Sequence, residues 1–90
     1  MTDTRVAIVT AAGKGMGAAI ARELSRSGYA LALMSTSGGA EALAGELGAV
    51  GITGSVATPE DLQRLVETTL ARYGRIDAVV NNTGHPSKGP

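Results

Sequence analysis

The stretch Thr10-Ala11-Ala12-Gly13-Lys14-Gly15-Met16-Gly17 places three glycines and a lysine in one turn, directly after the apolar run Val6-Ala7-Ile8-Val9. Residues without a Cβ let the backbone bend sharply and bring main-chain N–H groups close to an anion, and the positive end of a following helix adds to the attraction. The chemistry on offer is a cradle for phosphate. Two glycines spaced by one residue establish little alone, but with a strand before the turn and a helix after it the stretch reads as a nucleotide-binding βα turn.

The elements that must position this turn follow from periodicity. Residues 5–10, 30–34, 49–56 and 78–80 are short apolar or β-branched runs of the kind that form parallel strands covered on both faces. Between the first two, Met16, Ile20 and Leu24 define one stripe of a helix that ends near Gly28, and Arg22 and Arg26 read as solvated charges on its later turns. A short Ala-rich helix carries Leu43 and Leu47 and stops at Gly48. Thr58 as N-cap, Pro59 at the first helical position and the acidic pair Glu60-Asp61 open a third helix. Its apolar face is Leu62, Leu65, Val66, Thr69, Leu70 and Tyr73, and Gly74 closes it.

Strands alternating with helices through short connections imply right-handed crossovers. The fold class expected is α/β, a three-layer α/β/α arrangement with a parallel four-stranded sheet in the order 3-2-1-4, an incomplete doubly wound sheet. A ligand then binds beyond the carboxyl ends of the strands, where the strand order reverses beside the first strand. The turn at 10–17, the turn at 35–37, the end of the third strand at 55–56 and the loop from 82 all gather at that edge.

Composition narrows the function classes. The 90 residues make a single domain, and eight basic against eight acidic residues leave no net charge and no charge run for nucleic acid or an anionic membrane. There is no cysteine and only one histidine, His85, so neither a disulfide framework nor a thiolate or His-cluster metal site is expected, and His85 reads as a solvated loop residue. The start lacks the charged and apolar regions of a signal peptide, and no run is long enough to span a membrane. A soluble, cytoplasmic protein is expected.

On these residues the chain resembles the short-chain dehydrogenases/reductases. Residues 10–17 look like that family's T-G-x-x-x-G-x-G turn, with Ala11 where its first glycine usually stands. Asn81-Asn82-Thr83-Gly84 looks like its N-N-A-G motif, with Thr83 in place of alanine, and Gly74-Arg75-Ile76-Asp77-Ala78-Val79-Val80 leads into it as the family does. The resemblance implies a Rossmann domain that binds NAD(P), over residues 1–90 and cut short after the fourth strand. It implies further that Gly13, Lys14, Gly15, Met16 and Gly17 face the pyrophosphate, that Ser55 and Val56 lie by the adenine, and that Asn82, Thr83 and Gly84 flank the adenosine ribose.

Residue chemistry refines the cofactor. An acidic side chain about twenty residues past the glycine turn would hold a ribose 2′-OH and repel a 2′-phosphate. Here the second strand ends in Ser35-Thr36-Ser37, with hydroxyls and no carboxylate, and Lys14 adds a cation. NADP is therefore favoured over NAD, with Ser35 and Thr36 as candidate 2′-phosphate donors.

The resemblance also implies a reaction, hydride transfer between nicotinamide and a carbonyl or alcohol. It is run by a serine and a Tyr-x-x-x-Lys pair, and neither Tyr29 nor Tyr73 has lysine at that spacing. No residue of this chain is therefore assigned a catalytic role. The chain reads as the amino-terminal, cofactor-binding part of an NADP-dependent oxidoreductase, inactive alone, with self-association expected through an exposed fourth strand. A second reading is a non-catalytic dinucleotide-binding or interaction module, and a third is a βα domain with no ligand.

Overall fold

In the computed structural model, which describes residues 4–13 and 15–81, Val6–Thr10 form strand β1 and all five residues are buried. A strand covered on both faces by helices has no solvated side, which is why it reads as a continuous apolar run. β2 (Ala30–Ser35) lies parallel to β1, β3 (Val50–Thr53) parallel to β2, and β4 (Ala78–Val80) parallel to the other edge of β1. The sheet order is β3-β2-β1-β4, as the alternation requires.

Helices α1 (Gly15–Arg26), α2 (Gly39–Leu47) and α3 (Pro59–Tyr73) join these strands. Alternation along the strands divides the core in two. Ala7, Val9, Leu31 and Leu33 pack with Ala21 of α1 and with Ala40, Leu43 and Ala44 of α2. Ile8, Ala32, Met34, Val50 and Ile52 pack with Leu65 of α3 on the opposite face. Two helices cover the first face and one the second, so Val79, paired with Ile8 and on the α3 side, remains 60% exposed.

The end of α1 shows how locally the sequence dictates these turns. Gly28 has φ +97°, its N–H donates to Ser25 O at 3.0 Å, and Tyr29 N–H donates to Leu24 O at 3.0 Å. That pair of bonds is the Schellman closure, which needs a left-handed residue and is easiest with glycine. Gly48 and Gly74 terminate α2 and α3, as expected. Arg22 and Arg26 form surface ion pairs with Glu46 and Glu23, and exposed pairs of this kind contribute about 0–1 kcal/mol.

Several expectations are corrected. Met16 does not share the buried stripe of α1: it is 71% exposed, and the buried positions are Gly17 and Ala21, with Ile20 and Leu24 packed beside them. The reason is that Met16 is the second residue of the helix, beyond the sheet end. β3 stops at Thr53 rather than reaching residue 56, because Gly54 N–H makes the last bond to β2, at Ser35 O, and Ser55 N–H turns to Asp61. Thr58 does stand at the N-cap of α3, but its side chain makes no cap bond. Its carbonyl accepts from Asp61 and Leu62 instead. On α3 only Leu65 and Thr69 are buried, while Leu62, Val66 and Leu70 are 37–44% exposed.

Candidate functional site

The strand order reverses at β1, and two side chains tie the carboxyl ends of β1 and β4 together there. Thr10 Oγ1 donates to Asn81 Oδ1 at 3.1 Å and lies 3.4 Å from Val80 O. Thr10 thus ties the last residue of β1 to the end of β4 and sets where the chain departs into the glycine turn. Ala12 N–H donates to Met34 O at 3.1 Å, which anchors the turn to β2 as well.

Ala11 sits between these anchors with φ +52°. A residue with a Cβ in the left-handed region costs roughly 1–2 kcal/mol, which gives a physical reason for glycine to be preferred there. Gly13 follows, half-buried, and then Gly15 with φ +63° opens α1. Among the described residues, a Cβ on Gly15 would meet no atom within 4 Å outside its chain neighbours and its own helix backbone. Gly15 and Met16 are exposed and Gly17 is buried. Lys14, Asn82, Thr83 and Gly84, together with His85, lie outside the described residues.

The first turn of α1 carries no acidic residue, whereas α2 has Glu41 and α3 has Glu60 and Asp61 there. The positive end of α1 is therefore left without a carboxylate of its own, and with exposed Gly15 at its head the turn suits an anionic ligand. The residues present fit a phosphate-bearing group.

The second loop of the site differs from expectation in detail. Ser35 is buried, its hydroxyl donates to Ser37 O at 2.8 Å, and it accepts from Ala40 N–H at 3.0 Å. Its proton is used inside the loop, so Ser35 shapes the start of α2 and does not present a donor outward. Thr36 and Ser37 are exposed, with Ser37 Oγ accepting from Gly39 N–H at 3.3 Å.

At the third position, Ser55 is half-buried and Val56 is 38% exposed, in the turn between β3 and α3. Ser55 N–H donates to Asp61 Oδ2 at 2.9 Å, and its Oγ accepts from Ala57 N–H at 3.0 Å. Asp61 thereby closes the loop that residue spacing assigned only to the first turn of α3. Thr53 at the strand end is held on both sides, donating from Oγ1 to Glu41 Oε2 at 2.8 Å and accepting at its carbonyl from Arg64 Nη2 at 2.9 Å.

An open depression of about 290 Å³ is lined by Thr4, Arg5, Ser27, Gly28 and Tyr29, at the opposite end of the sheet from the glycine turn. Tyr73 donates its phenol proton to Leu31 O at 3.1 Å, near the start of β2 and away from the strand carboxyl ends. Among the described residues no three His, Asp or Glu side chains gather as metal ligands, and no helix is long and apolar enough to cross a membrane.

Comparison with known proteins bears directly on this geometry. Residues 5–90 match the short chain dehydrogenase family. The chain is 45% identical over 85 residues to L-fucose dehydrogenase of Mus musculus, covering 91% of this chain and 31% of that protein. It is 39% identical over 88 residues to D-threitol dehydrogenase of Mycolicibacterium smegmatis, covering 91% and 34% respectively. Its fold is similar to a 3-ketoacyl-(acyl-carrier-protein) reductase from Brucella melitensis complexed with NADH. The TM-score is 0.79 at 28% identity, over 83% of this chain and 32% of that one. The chain spans about a third of the length of these relatives.

Proposed function

Because the chain belongs to the short chain dehydrogenase family, we propose that it is the dinucleotide-binding part of an NADP-dependent oxidoreductase, one that transfers hydride between a nicotinamide and a carbonyl or alcohol substrate. The observation that carries this reading is the glycine turn itself. It leaves the carboxyl end of β1 at the strand-order reversal and leads through Gly15 into a helix whose own first turn carries no acidic residue. The Brucella melitensis reductase of similar fold holds NADH, which supports a dinucleotide as the ligand class.

The dinucleotide, when bound, would carry the hydride, given to a carbonyl or taken from an alcohol; this chain's residues would bind and orient it. Backbone N–H groups over Gly13–Gly17 would hold the pyrophosphate, with Lys14 contributing charge. Ser55 and Val56 would meet the adenine, and Asn82, Thr83 and Gly84 the adenosine ribose. Thr36 and Ser37, exposed and uncharged, would accommodate a 2′-phosphate, and the absence of a carboxylate from residues 35–37 removes the repulsion that selects NAD. Ser35 contributes by holding the loop in shape rather than by touching the ligand.

Calorimetric titration of the chain with NADPH and NADH tests the reading. Tighter binding of NADPH is expected, with the preference reduced in Lys14→Ala. Equal affinities would overturn the choice of NADP, and no affinity for either dinucleotide would overturn the site.

A further inference from the structure

Gly13 in the glycine turn and Gly39 at the head of α2 meet backbone to backbone. A Cβ built on Gly39 would lie 2.8 Å from Gly13 Cα and 2.8 Å from Gly13 O, and one built on Gly13 would lie 3.1 Å from Ser35 Oγ and 3.3 Å from Gly39 Cα. Contact at 2.8 Å with backbone atoms forces the chain to move. Neither glycine is required by its own conformation, since neither has a positive φ. Gly39 is moreover the first residue of α2, where alanine is the better helix former. What remains to explain glycine at 39 is the close approach of the two segments.

We propose that Gly39 is a positioning residue for the glycine turn. Its missing side chain lets the start of α2 seat directly on Gly13, so that the turn and the Ser35–Gly39 loop behave as one body. Resting on the dinucleotide reading above, this means that the part of the site assigned to the pyrophosphate and the part assigned to the adenosine 2′ position are set relative to each other by a backbone contact. The same body is held from within by Ala12 N–H on Met34 O and by the two bonds of Ser35 Oγ.

A matched control presses on the same helix from the neighbouring strand. A Cβ on Gly51 of β3 would meet Ala44 Cβ at 2.7 Å, Ala40 O at 2.8 Å and Glu41 Cα at 2.8 Å. Gly51→Ala therefore also displaces α2, but from the β3 side and without a contact to the glycine turn. The experiment compares Gly39→Ala with Gly51→Ala in the full chain, at a temperature where both are folded. Two quantities are read: hydrogen-exchange protection of the Ala12 amide and affinity for NADPH.

Gly39→Ala should lose Ala12 protection and weaken NADPH on the order of tenfold, the worth of about one charge-assisted hydrogen bond, while Gly51→Ala keeps both. No loss in Gly39→Ala, or equal losses in the two variants, would overturn the proposal. A wild-type chain with no affinity for NADPH, in which Gly39→Ala alone unprotects Ala12, removes the dinucleotide reading and leaves the positioning role standing. Should Gly39→Ala fail to fold, Gly13→Ala presses on the same junction more mildly, against Ser35 Oγ at 3.1 Å and Gly39 Cα at 3.3 Å, and unchanged Ala12 protection there overturns the role.

Discussion

Asp77 Oδ2 accepts the backbone N–H of Val6 at 2.8 Å, so the residue that precedes β4 holds the first residue of β1. Arg75 completes the arrangement, donating from Nε to Oδ2 at 2.8 Å and from Nη2 to Oδ1 at 2.7 Å. The Arg75 guanidinium, and after it the Val6 N–H, hold the Asp77 carboxyl below the usual carboxylate value. Since the folded value lies below the unfolded one, ionised Asp77 stabilises the fold above about pH 4, and the contribution fades as pH falls through the lower folded value. Thermal midpoints of the wild type and Asp77→Asn should differ at pH 7, and the gap should narrow as the pH is lowered below about 4. A gap that stays constant over that range would show that the charge of Asp77 is not what matters.

Ala11 gives a prediction of the opposite sign, a substitution that stabilises. Its φ of +52° is strained for alanine. Relief of roughly 1–2 kcal/mol is partly offset by about 0.5–1 kcal/mol of extra unfolded-chain entropy for glycine. Ala11→Gly should raise stability by about 0.5–1 kcal/mol, read from the midpoint of urea unfolding. A lowered midpoint would mean that Ala11 is held without strain.

On α3 the burial register predicts unequal costs for chemically identical changes. Leu65 is 1% exposed against Ile8, Met34 and Ile52, whereas Leu70 is 44% exposed. Leu65→Ala should cost about 2–4 kcal/mol, and Leu70→Ala no more than about 1 kcal/mol. Similar losses in denaturant unfolding for the two would indicate that α3 is rotated from the orientation described.

The two neighbouring residues at the end of β2 should separate cleanly in their effects. Ser35→Ala removes an acceptor from Ala40 N–H and a donor to Ser37 O, and should lower stability by about 1–2 kcal/mol. Thr36 is exposed, and Thr36→Asp should leave stability within about 0.5 kcal/mol while turning preference from NADPH to NADH. Titration of each variant with both dinucleotides checks this. An unchanged preference in Thr36→Asp would place the 2′ position elsewhere.

Much of this fold could be read from the sequence because its signals are local. The buried run Val6–Thr10, the Schellman glycine at 28 and Pro59 at the head of α3 each declare themselves within a few residues, and the order β3-β2-β1-β4 follows from their alternation. The glycine turn, on which the proposed site rests, stands out for the same reason, being contiguous. What escaped depends on residues distant in sequence. Ser35 looks like a free hydroxyl until Ala40 and Ser37 fold back onto it. Asp61 looks like a helix-end charge until Ser55 reaches it, and nothing near Gly39 announces Gly13. The exposure of Met16 was missed because helical spacing says which face a residue occupies but not whether the sheet extends beneath it.

The place of β1 between β2 and β4 has a consequence for the chain as it is made. β1 is synthesised first, meets β2 through pairs such as Ala7 with Leu31, and receives its other neighbour only when Ala78 is available to lie beside Ala7. Between those moments a nascent chain can carry a three-stranded sheet with β1 as an open border, because loop closure must precede any pairing so distant in sequence. Arrival of Asp77 at Val6 closes that border. Slowing translation ahead of codon 77 would therefore lengthen the interval in which β1, buried along its whole length in the finished fold, is available to a chaperone or to another nascent chain.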